Sequence, residues 1–224
     1  MTKYARQLAL GAAATLLLYG ARRYYGNWGT TKGECRMRLP GDELVRAPVE
    51  RTTEGVWIQR SAAEVWPWLV QMGQGRGGLY SFEVVEDSLE LSLHHNADRL
   101  LPEWQHLVPG DTVRLAPEGW LGLSTGVVLS VAEVTEGRAV VLHAAPPEMP
   151  CETVWSFHVI PYGDDRCRLL ARTRVGLRHP GEVLVAEAAG PVVTFMTRGI
   201  LRGIQRRAEL VPVDAEPSSS AVRA

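Results

Sequence analysis

The sequence predicts an α+β domain in which an antiparallel sheet curls around a long C-terminal helix. Between residues 111 and 178, apolar residues recur with a period of two, which is typical of strands. Residues 182–211 instead space their apolar side chains three or four positions apart, which indicates one amphipathic helix. Two shorter helical patterns, over residues 62–72 and 80–92, precede the strands, and we expect them to close one end of the sheet.

The first segment, residues 4–25, is predicted to span a membrane as a single helix. Its uncharged run from Gln7 to Ala21 would be about 22 Å long, short of a hydrocarbon core of about 30 Å. Flanking tyrosines and arginines extend that length, because their apolar stems remain in the bilayer. More basic residues follow the run than precede it, which places the main domain in the cytoplasm. A cleaved signal peptide is the alternative, and Arg22 and Arg23 directly after the run argue against it.

The rest of the chain divides into three parts. Residues 26–50 carry glycines, two prolines and mixed charge without periodicity, so we expect an extended linker. Residues 51–211 form the folded domain. Residues 212–224 are polar and contain proline, and are expected to be disordered.

Within the domain, a short strand at Val56–Ile58 precedes Ser61-Ala-Ala-Glu64, a capping box that predicts a helix start. Five strands should follow in hairpin spacing: Asp111–Ala116, Thr125–Val134, Ala139–Ala145, Glu152–Ile160 and Cys167–Leu177. In the last run Arg168, Arg172 and Arg174 alternate with apolar residues, so the arginine face is expected to be solvated.

The C-terminal helix should bury one stripe and expose another. Its predicted apolar stripe consists of Leu184, Ala188, Val192, Phe195, Met196, Ile200 and Ile204. Arg198, Arg202 and Arg206 repeat every four residues on another face, which we interpret as solvated, with acidic lipid as the alternative contact.

Composition excludes some partners. The formal net charge is -1 and the isoelectric point near 6.6, which provides no field to attract nucleic acid. Three widely spaced cysteines form neither a disulfide framework nor a zinc pattern, so a reducing compartment fits best, with a single Cys151–Cys167 bridge left open.

Two motifs resemble binding sites, one for a nucleotide cofactor and one for a metal, but neither motif meets the requirements of such a site. Gly73 to Gly78 matches G-x-G-x-x-G, yet it follows a helix instead of a strand, so we expect a helix end and a tight turn. Arg76 in this turn should either pair with a carboxylate or gate a cavity. His94, His95 and His106 lack the spacing of metal ligands. We therefore predict no metal, no cofactor and no catalytic nucleophile.

The polar run after residue 93 has two interpretations. Asp98 lies four residues after His94 and would orient its ring if both were helical. Alternatively, Asn96 caps a turn over Ala97–Leu101, and Asp98 and Arg99 brace that turn against the sheet. We favour the second interpretation.

Two stretches carry a family resemblance: VWIQRSAAEVWPWLVQMGQGRGGLYS and HNADRLLPEWQHLVPGD. With the element order, they resemble the START-like, Bet v 1-like (SRPBCC) superfamily. More narrowly, they resemble its bacterial polyketide cyclase/dehydrase group, several members of which begin with a membrane helix and a linker like Trp28-Gly29. The resemblance covers about residues 27–211. It implies a helix-grip fold whose apolar cavity holds lipids, sterols or polyketides, and occasionally supports catalysis.

The predicted function is a membrane-anchored domain that binds or carries a small hydrophobic ligand, lipid or polyketide-like. Tryptophans suit such a cavity, since each combines a large apolar surface with one donor. The residues predicted to line the cavity or its mouth are Trp68, Arg76, Tyr80, Asp98, Arg99, Trp104, Trp155 and Phe157. One alternative is a cyclase or dehydratase that moves protons through His94 and Asp98, or through Arg76 and Tyr80. Another is a non-catalytic scaffold that binds a protein partner.

Overall fold

A computed structural model describes residues 13, 20, 26–81, 96–119, 124–145, 151–177, 179 and 181–210, with the backbone alone at 182 and 184–188. Six strands form one antiparallel sheet in the order β1-β6-β5-β4-β3-β2. They are β1 (Glu50–Ile58), β2 (Thr112–Ala116), β3 (Val127–Thr135), β4 (Ala139–Ala144), β5 (Glu152–Pro161) and β6 (Cys167–Gly176). The helices are α1 (Lys32–Arg36), α2 (Ala62–Val70) and α3 (Glu182–Leu210), with a 3₁₀ turn at Pro102–Trp104. The α+β prediction is confirmed.

Strands β2 to β6 form a meander in which each strand pairs with the next along the chain. Gly119, Gly137 and Gly163 adopt positive φ angles in the segments that connect these strands. All five predicted strands are present, with each end displaced by at most two residues. Strand β1 closes the order by pairing with β6 from Glu50 to Ile58, so it begins six residues before the predicted Val56.

Helix α2 begins as its capping box predicts. Ser61 Oγ accepts from the Glu64 amide at 3.3 Å, and the Glu64 carboxylate accepts from the Ser61 amide at 2.9 Å. The helix ends at Val70, two residues earlier than predicted. The helix predicted over residues 80–92 lies outside the described residues except for Tyr80 and Ser81, neither of which is helical.

Helix α3 runs beside β1 in the same direction. Arg198 contacts Glu54, Gln205 donates to the Trp57 carbonyl, and Glu209 accepts from the Gln59 amide. The helix buries Met196, Ile200, Leu201, Ile204 and Ala208 in the apolar core.

Two members of the predicted apolar stripe of α3 are exposed. Val192 is 40% and Phe195 43% exposed, so their placement in the buried stripe is wrong. Phe195 lies about 100° around the helix from Met196. Val192 lies near the level of Gly190, which approaches Glu50 at the beginning of β1. The side chains of Leu184 and Ala188 lie outside the described residues.

Residues 26–49 form what we call the N-terminal strap, where the sequence predicts an extended linker. The carbonyls of Gly26 and Trp28 accept from the Thr53 and Gly55 amides at 2.9 and 3.1 Å, so the strap first covers the free edge of β1. It then crosses the convex face of the sheet. There Val45 is buried in a cluster with Val141 and Val154. The strap is thus a packed layer of the fold.

The arginine face of β6 is buried under this strap, so the expectation of a solvated face is wrong. Arg168, Arg172 and Arg174 are 5%, 0% and 6% exposed. Arg172 donates to the carbonyls of Glu34 and Met37 and to Asp42, each at 2.8 Å. Alternation of arginine with apolar residues shows that a strand has two faces, but it does not show what covers the polar one.

Cys151 and Cys167 are both buried and are not joined by a disulfide, so the structure does not contain the bridge that the sequence left open. Antiparallel pairing explains this, because Cys167 pairs with Pro161 at one end of the β5–β6 hairpin. Cys151 precedes Glu152, which pairs with Gly176 at the opposite end.

The predicted anchor over residues 4–25 lies outside the described residues, apart from Ala13 and Gly20. In the part of the chain that the structure describes, no helix combines the length and hydropathy needed to cross a bilayer.

Candidate ligand-binding site

Two aromatic side chains on β5 project from the concave face of the sheet toward α3. The rings of Trp155 and Phe157 have centroids 5.0 Å apart with an interplanar angle of 51°. Both side chains belong to the main apolar core, and they are 6% and 0% exposed. The indole Nε1 of Trp155 is buried and makes no hydrogen bond with any residue that the structure describes.

A second aromatic pair joins α2 to the turn that follows it. Trp68 and Tyr80 pack edge to face, with centroids 6.1 Å apart and ring planes at 78°. Tyr80 has a φ of 58°, an uncommon backbone conformation for a bulky residue. The Asn96 side chain accepts from its amide at 2.8 Å, and Arg207 of α3 lies over its ring at 4.7 Å. Tertiary contacts therefore hold Tyr80 in this conformation.

The Tyr80 hydroxyl is buried and lacks a geometrically acceptable hydrogen bond within the described residues. Burial raises the pKa of Tyr80 to about 12, although the nearby Gln71, Arg207 and Arg76 act in the opposite direction. The hydroxyl therefore keeps its proton at neutral pH and can donate to an acceptor.

Arg76 and Trp104 form a third contact at this end of the domain. The Arg76 guanidinium lies 4.6 Å from the Trp104 ring centroid and donates to the carbonyls of Val70 and Trp104. Burial lowers the pKa of Arg76, while the charge of Asp111 opposes that shift. Arg76 thus hydrogen-bonds to carbonyls instead of a carboxylate. The glycine turn around it is closed by reciprocal backbone hydrogen bonds between Gly73 and Gly78, as the predicted tight turn requires.

Asp98 and Arg99 are exposed to solvent, and the structure does not bring them together with the aromatic pairs. Their loop is held through its backbone: the Ala97 amide donates to the Gly77 carbonyl, and Arg207 donates to the Ala97 carbonyl at 2.7 Å. Asn96 contacts the Tyr80 amide, a different partner from the turn it was expected to cap. His94 lies outside the described residues.

Gln71 is a structural residue that the sequence interpretation missed. It is 0% exposed at the end of α2. Its amide donates to the Arg99 carbonyl at 3.2 Å, and its carbonyl accepts from the Leu101 amide at 2.9 Å. This one side chain ties the loop that carries Asp98 to α2. A glutamine that follows the apolar run Trp68-Leu-Val70 gives no sequence signal for that role.

Glu54 is a second residue that the sequence interpretation missed, and its ionisable carboxyl group lies in the interior. It is 1% exposed, and its Oε1 accepts from Arg198 Nε at 2.8 Å. Its Oε2 is buried without a hydrogen bond to any described residue. Burial raises the pKa of Glu54 to about 7, although Arg198 opposes the shift. Glu54, Val56 and Ile58 are alternate residues of β1, so all three side chains face the interior. A predicted strand that began before Glu54 would have shown that its side chain is buried.

The remaining titratable groups among the described residues show no catalytic arrangement. His158 is buried on the convex side of the sheet, 3.0 Å from Ser156 Oγ, and burial lowers its pKa to about 4. Burial raises the pKa of the Cys167 thiol to about 11. His106 is exposed, and the described part of the chain contains no cluster of three residues able to hold a metal ion.

A shallow surface depression of about 330 Å³ lies at the C-terminal end of α3. Its lining consists of Arg202, Gln205, Arg206, Glu209 and Leu210. Because it is open and bordered by charged side chains, it does not correspond to the apolar interior site that the resemblance implies.

No protein-family model matches the chain, and no curated protein matches it significantly. Several solved structures are similar to it. Norcoclaurine synthase from Thalictrum flavum, solved with dopamine and hydroxybenzaldehyde, is 13% identical, with 79% of this chain and 98% of that chain covered and a TM-score of 0.41. A protein from Thermobifida fusca is 15% identical, with 70% and 92% covered and a TM-score of 0.44. A START superfamily protein from Mycobacterium smegmatis is 12% identical, with 70% and 97% covered and a TM-score of 0.39.

These likenesses are distant, and the topology of the chain itself identifies its fold. A strand and a helix are followed by a five-stranded meander, and the last helix packs against the concave face of the sheet. This is the helix-grip arrangement that the resemblance to Bet v 1-like proteins predicts, and the fold prediction is confirmed.

Proposed function

We propose that this chain binds or carries a small hydrophobic ligand between the concave face of the sheet and α3. One observation carries the proposal: two aromatic polar groups, Trp155 Nε1 and the Tyr80 hydroxyl, are buried in the same apolar core without a hydrogen bond to a described residue. Each unpaired buried donor costs about 1–3 kcal/mol. A mostly apolar ligand with a few acceptors would remove that cost, which is how apolar sites orient their ligands.

The alternative function is a cyclase or dehydratase. The residue pairs proposed to transfer protons in it are poorly suited to that role. Asp98 is exposed, and Nη2 of Arg76 donates to two carbonyls while its guanidinium lies over the Trp104 ring. The pKa of Tyr80, raised to about 12 by burial, makes this hydroxyl a poor base at neutral pH. Ligand binding therefore has more support than catalysis by these pairs.

The first test is native mass spectrometry, with lipid extraction, on the full-length chain purified from its original host. We expect one apolar molecule to copurify in stoichiometric amount. A clean mass of the free protein, together with no binding to a panel of lipids and polyketides, would reject the carrier function and favour the scaffold.

A variant links such binding to the interior. Trp155→Phe retains an aromatic ring and removes the indole donor, so we expect the extracted ligand to bind about tenfold more weakly, a typical effect of one lost hydrogen bond. Trp57→Phe is the matched control, because Trp57 is 45% exposed and packs edge to face with Tyr162 at 5.4 Å. Equal affinities of the two variants would argue against a site at Trp155.

The proposed carrier is tethered to a membrane by residues 4–25, with the main domain in the cytoplasm. The length and flanking residues of this segment support the proposal. After carbonate extraction, we expect the full-length chain to remain with the membrane pellet. We also expect added protease to reach the domain only after the cytoplasmic side is opened. Release into the supernatant would reject the anchor.

A further inference from the structure

Glu54 lies in the same inward-facing row of the sheet as Phe157. Across the strands, Glu54 pairs with Ala171 on β6, and Ala171 pairs with Phe157 on β5. Two strand spacings separate Glu54 from Phe157 by about 10 Å. The residue between them is an alanine, so no large side chain of the sheet divides them. Trp155 occupies the adjacent inward-facing row.

The carboxylate of Glu54 has one satisfied and one unsatisfied oxygen. Arg198 Nε donates to Oε1, while Oε2 is buried and makes no hydrogen bond within the described residues. Arg198 is held in turn by the strap, since its guanidinium lies 5.4 Å from the Trp28 ring centroid. When Glu54 is ionised, at pH values above its pKa of about 7, the pair thus presents a charged hydrogen-bond acceptor to the interior.

The ion pair also limits what a ligand can bring to this acceptor. Glu54 and Arg198 together are neutral, so a cationic ligand would add an uncompensated charge to a buried site, which is costly. A carboxylate ligand would place a like charge beside Glu54. A neutral hydroxyl group satisfies the free oxygen without either cost, and its hydrogen bond to a charged acceptor is stronger than one between neutral groups.

We propose that Glu54 Oε2 is the polar end of the ligand site and accepts a hydrogen bond from the hydroxyl group of a neutral aromatic or alicyclic alcohol whose apolar body contacts Trp155 and Phe157. This inference rests on the proposed ligand-binding function and adds the chemical class of the ligand. It also gives the strap a role in recognition, since Trp28 packs against the arginine that orients Glu54.

The test compares two naphthyl probes: 2-naphthol, which has a hydroxyl donor, and 2-methoxynaphthalene, in which a methyl group replaces the hydroxyl hydrogen. Isothermal titration calorimetry on the full-length chain measures both affinities, at a pH above 7 so that Glu54 is ionised. We expect wild type to bind 2-naphthol at least tenfold more tightly. In the double variant Glu54→Leu/Arg198→Met, which replaces a buried ion pair by apolar groups, we expect the two affinities to converge while 2-methoxynaphthalene still binds.

A second variant and a control complete the test. Glu54→Gln keeps the shape of the side chain, but its carbonyl oxygen accepts from Arg198 and its NH₂ group, a donor, takes the position of Oε2. The preference for 2-naphthol should therefore be lost even if the double variant does not fold. Glu118→Leu/Arg114→Met removes an exposed pair, with side chains 74% and 36% exposed, and should leave the preference unchanged.

The outcomes separate this inference from the proposed function. Equal affinities in wild type, or a preference that survives both Glu54 variants, would overturn the role of Glu54 and leave apolar ligand binding intact. Failure of wild type to bind either probe would count against the ligand site itself, and the inference would fall with it.

Discussion

The carboxyl group of Glu54 is buried, where its charged form is unfavourable, so the stability of the folded protein depends on pH. Burial raises the pKa of Glu54 from 4.5 to about 7. Between these values the folded chain holds a proton that the unfolded chain has released. The stabilising contribution is therefore complete below pH 4.5 and is lost as the pH rises through about 7. His158 acts in the opposite direction, because burial lowers its pKa to about 4.

A pH series on Glu54→Gln separates these two groups. The free energy of unfolding of wild type, minus that of the variant, should decrease by about 3 kcal/mol as the pH rises from 4.5 to above 7. Urea unfolding at several pH values measures the difference, and the contribution of His158 cancels because both chains contain it. A difference that is independent of pH would show that Glu54 titrates at its ordinary pKa in the folded protein.

Gly203 allows α3 to approach Tyr80 closely. A Cβ at this position would collide with the backbone carbonyl of Tyr80, whose unusual conformation leaves little room to adjust. We expect Gly203→Ala to lower the free energy of unfolding by about 1–3 kcal/mol through overpacking. Gly33→Ala in α1 is the control, because among the described residues a Cβ there would meet only the Thr31 hydroxyl, at an ordinary contact distance of 3.7 Å. Chemical denaturation should show a neutral or slightly stabilising effect there.

At the residue scale, sequence reasoning finds residues whose type reveals their role. Five aromatic residues were predicted to line a cavity or its mouth, and the structure buries all of them except Trp104, which is half-buried: Trp68, Tyr80, Trp104, Trp155 and Phe157. It cannot find Glu54, because a glutamate reveals its environment only when the face of its strand is known. Whether these aromatic residues contact ligand stays a prediction.

At the scale of elements, the strap and β6 depend on each other. Arg172 donates four hydrogen bonds, and three of them reach the strap at Glu34, Met37 and Asp42. Burying a guanidinium is costly, and only such complete pairing offsets it. The meander was predictable because each hairpin is local, with alternation and turn residues adjacent in sequence. The strap was not, because contacts between arginines and backbone carbonyls impose no periodicity on its sequence.

The contribution of the contacts between strap and sheet to the free energy of unfolding can be measured by substituting Arg172. Arg172→Met leaves two strap carbonyls without their donor and removes one of the two arginines paired with Asp42, so we expect a loss of about 3–5 kcal/mol in the free energy of unfolding. Arg166→Met is the control: Arg166 is exposed and lies over the Tyr162 ring at 4.4 Å, so its removal should cost less than about 1 kcal/mol. If urea denaturation gives equal values, the strap contributes little to stability.

At the scale of the whole molecule, the sheet separates two different layers. Its concave face is apolar and packs against α3, which encloses the proposed ligand site. Its convex face carries arginines that bind the strap. Gly26, the first strap residue, already accepts from β1, so no free linker separates the folded domain from the proposed anchor at residues 4–25. The domain would then lie close to the membrane, where an apolar ligand could enter it directly.

Two truncated chains test whether the strap belongs to the folded unit. A chain that begins at residue 26 keeps every partner of Arg168, Arg172 and Arg174 that the structure describes, so its free energy of unfolding should equal that of the full-length chain. A chain that begins at residue 50 retains β1 but lacks the strap partners of these three arginines, which become accessible to water, and it uncovers Val141 and Val154. Since a hydrogen bond to a charged group contributes about 1.5–3 kcal/mol, the loss should reach several kcal/mol, a large part of the typical stability of a domain, about 5–15 kcal/mol. We therefore expect the shorter chain to unfold at a much lower urea concentration, as measured by circular dichroism. If both chains instead unfold at the same urea concentration, the arginines find other partners or water, and the strap is an independent linker as its sequence suggests.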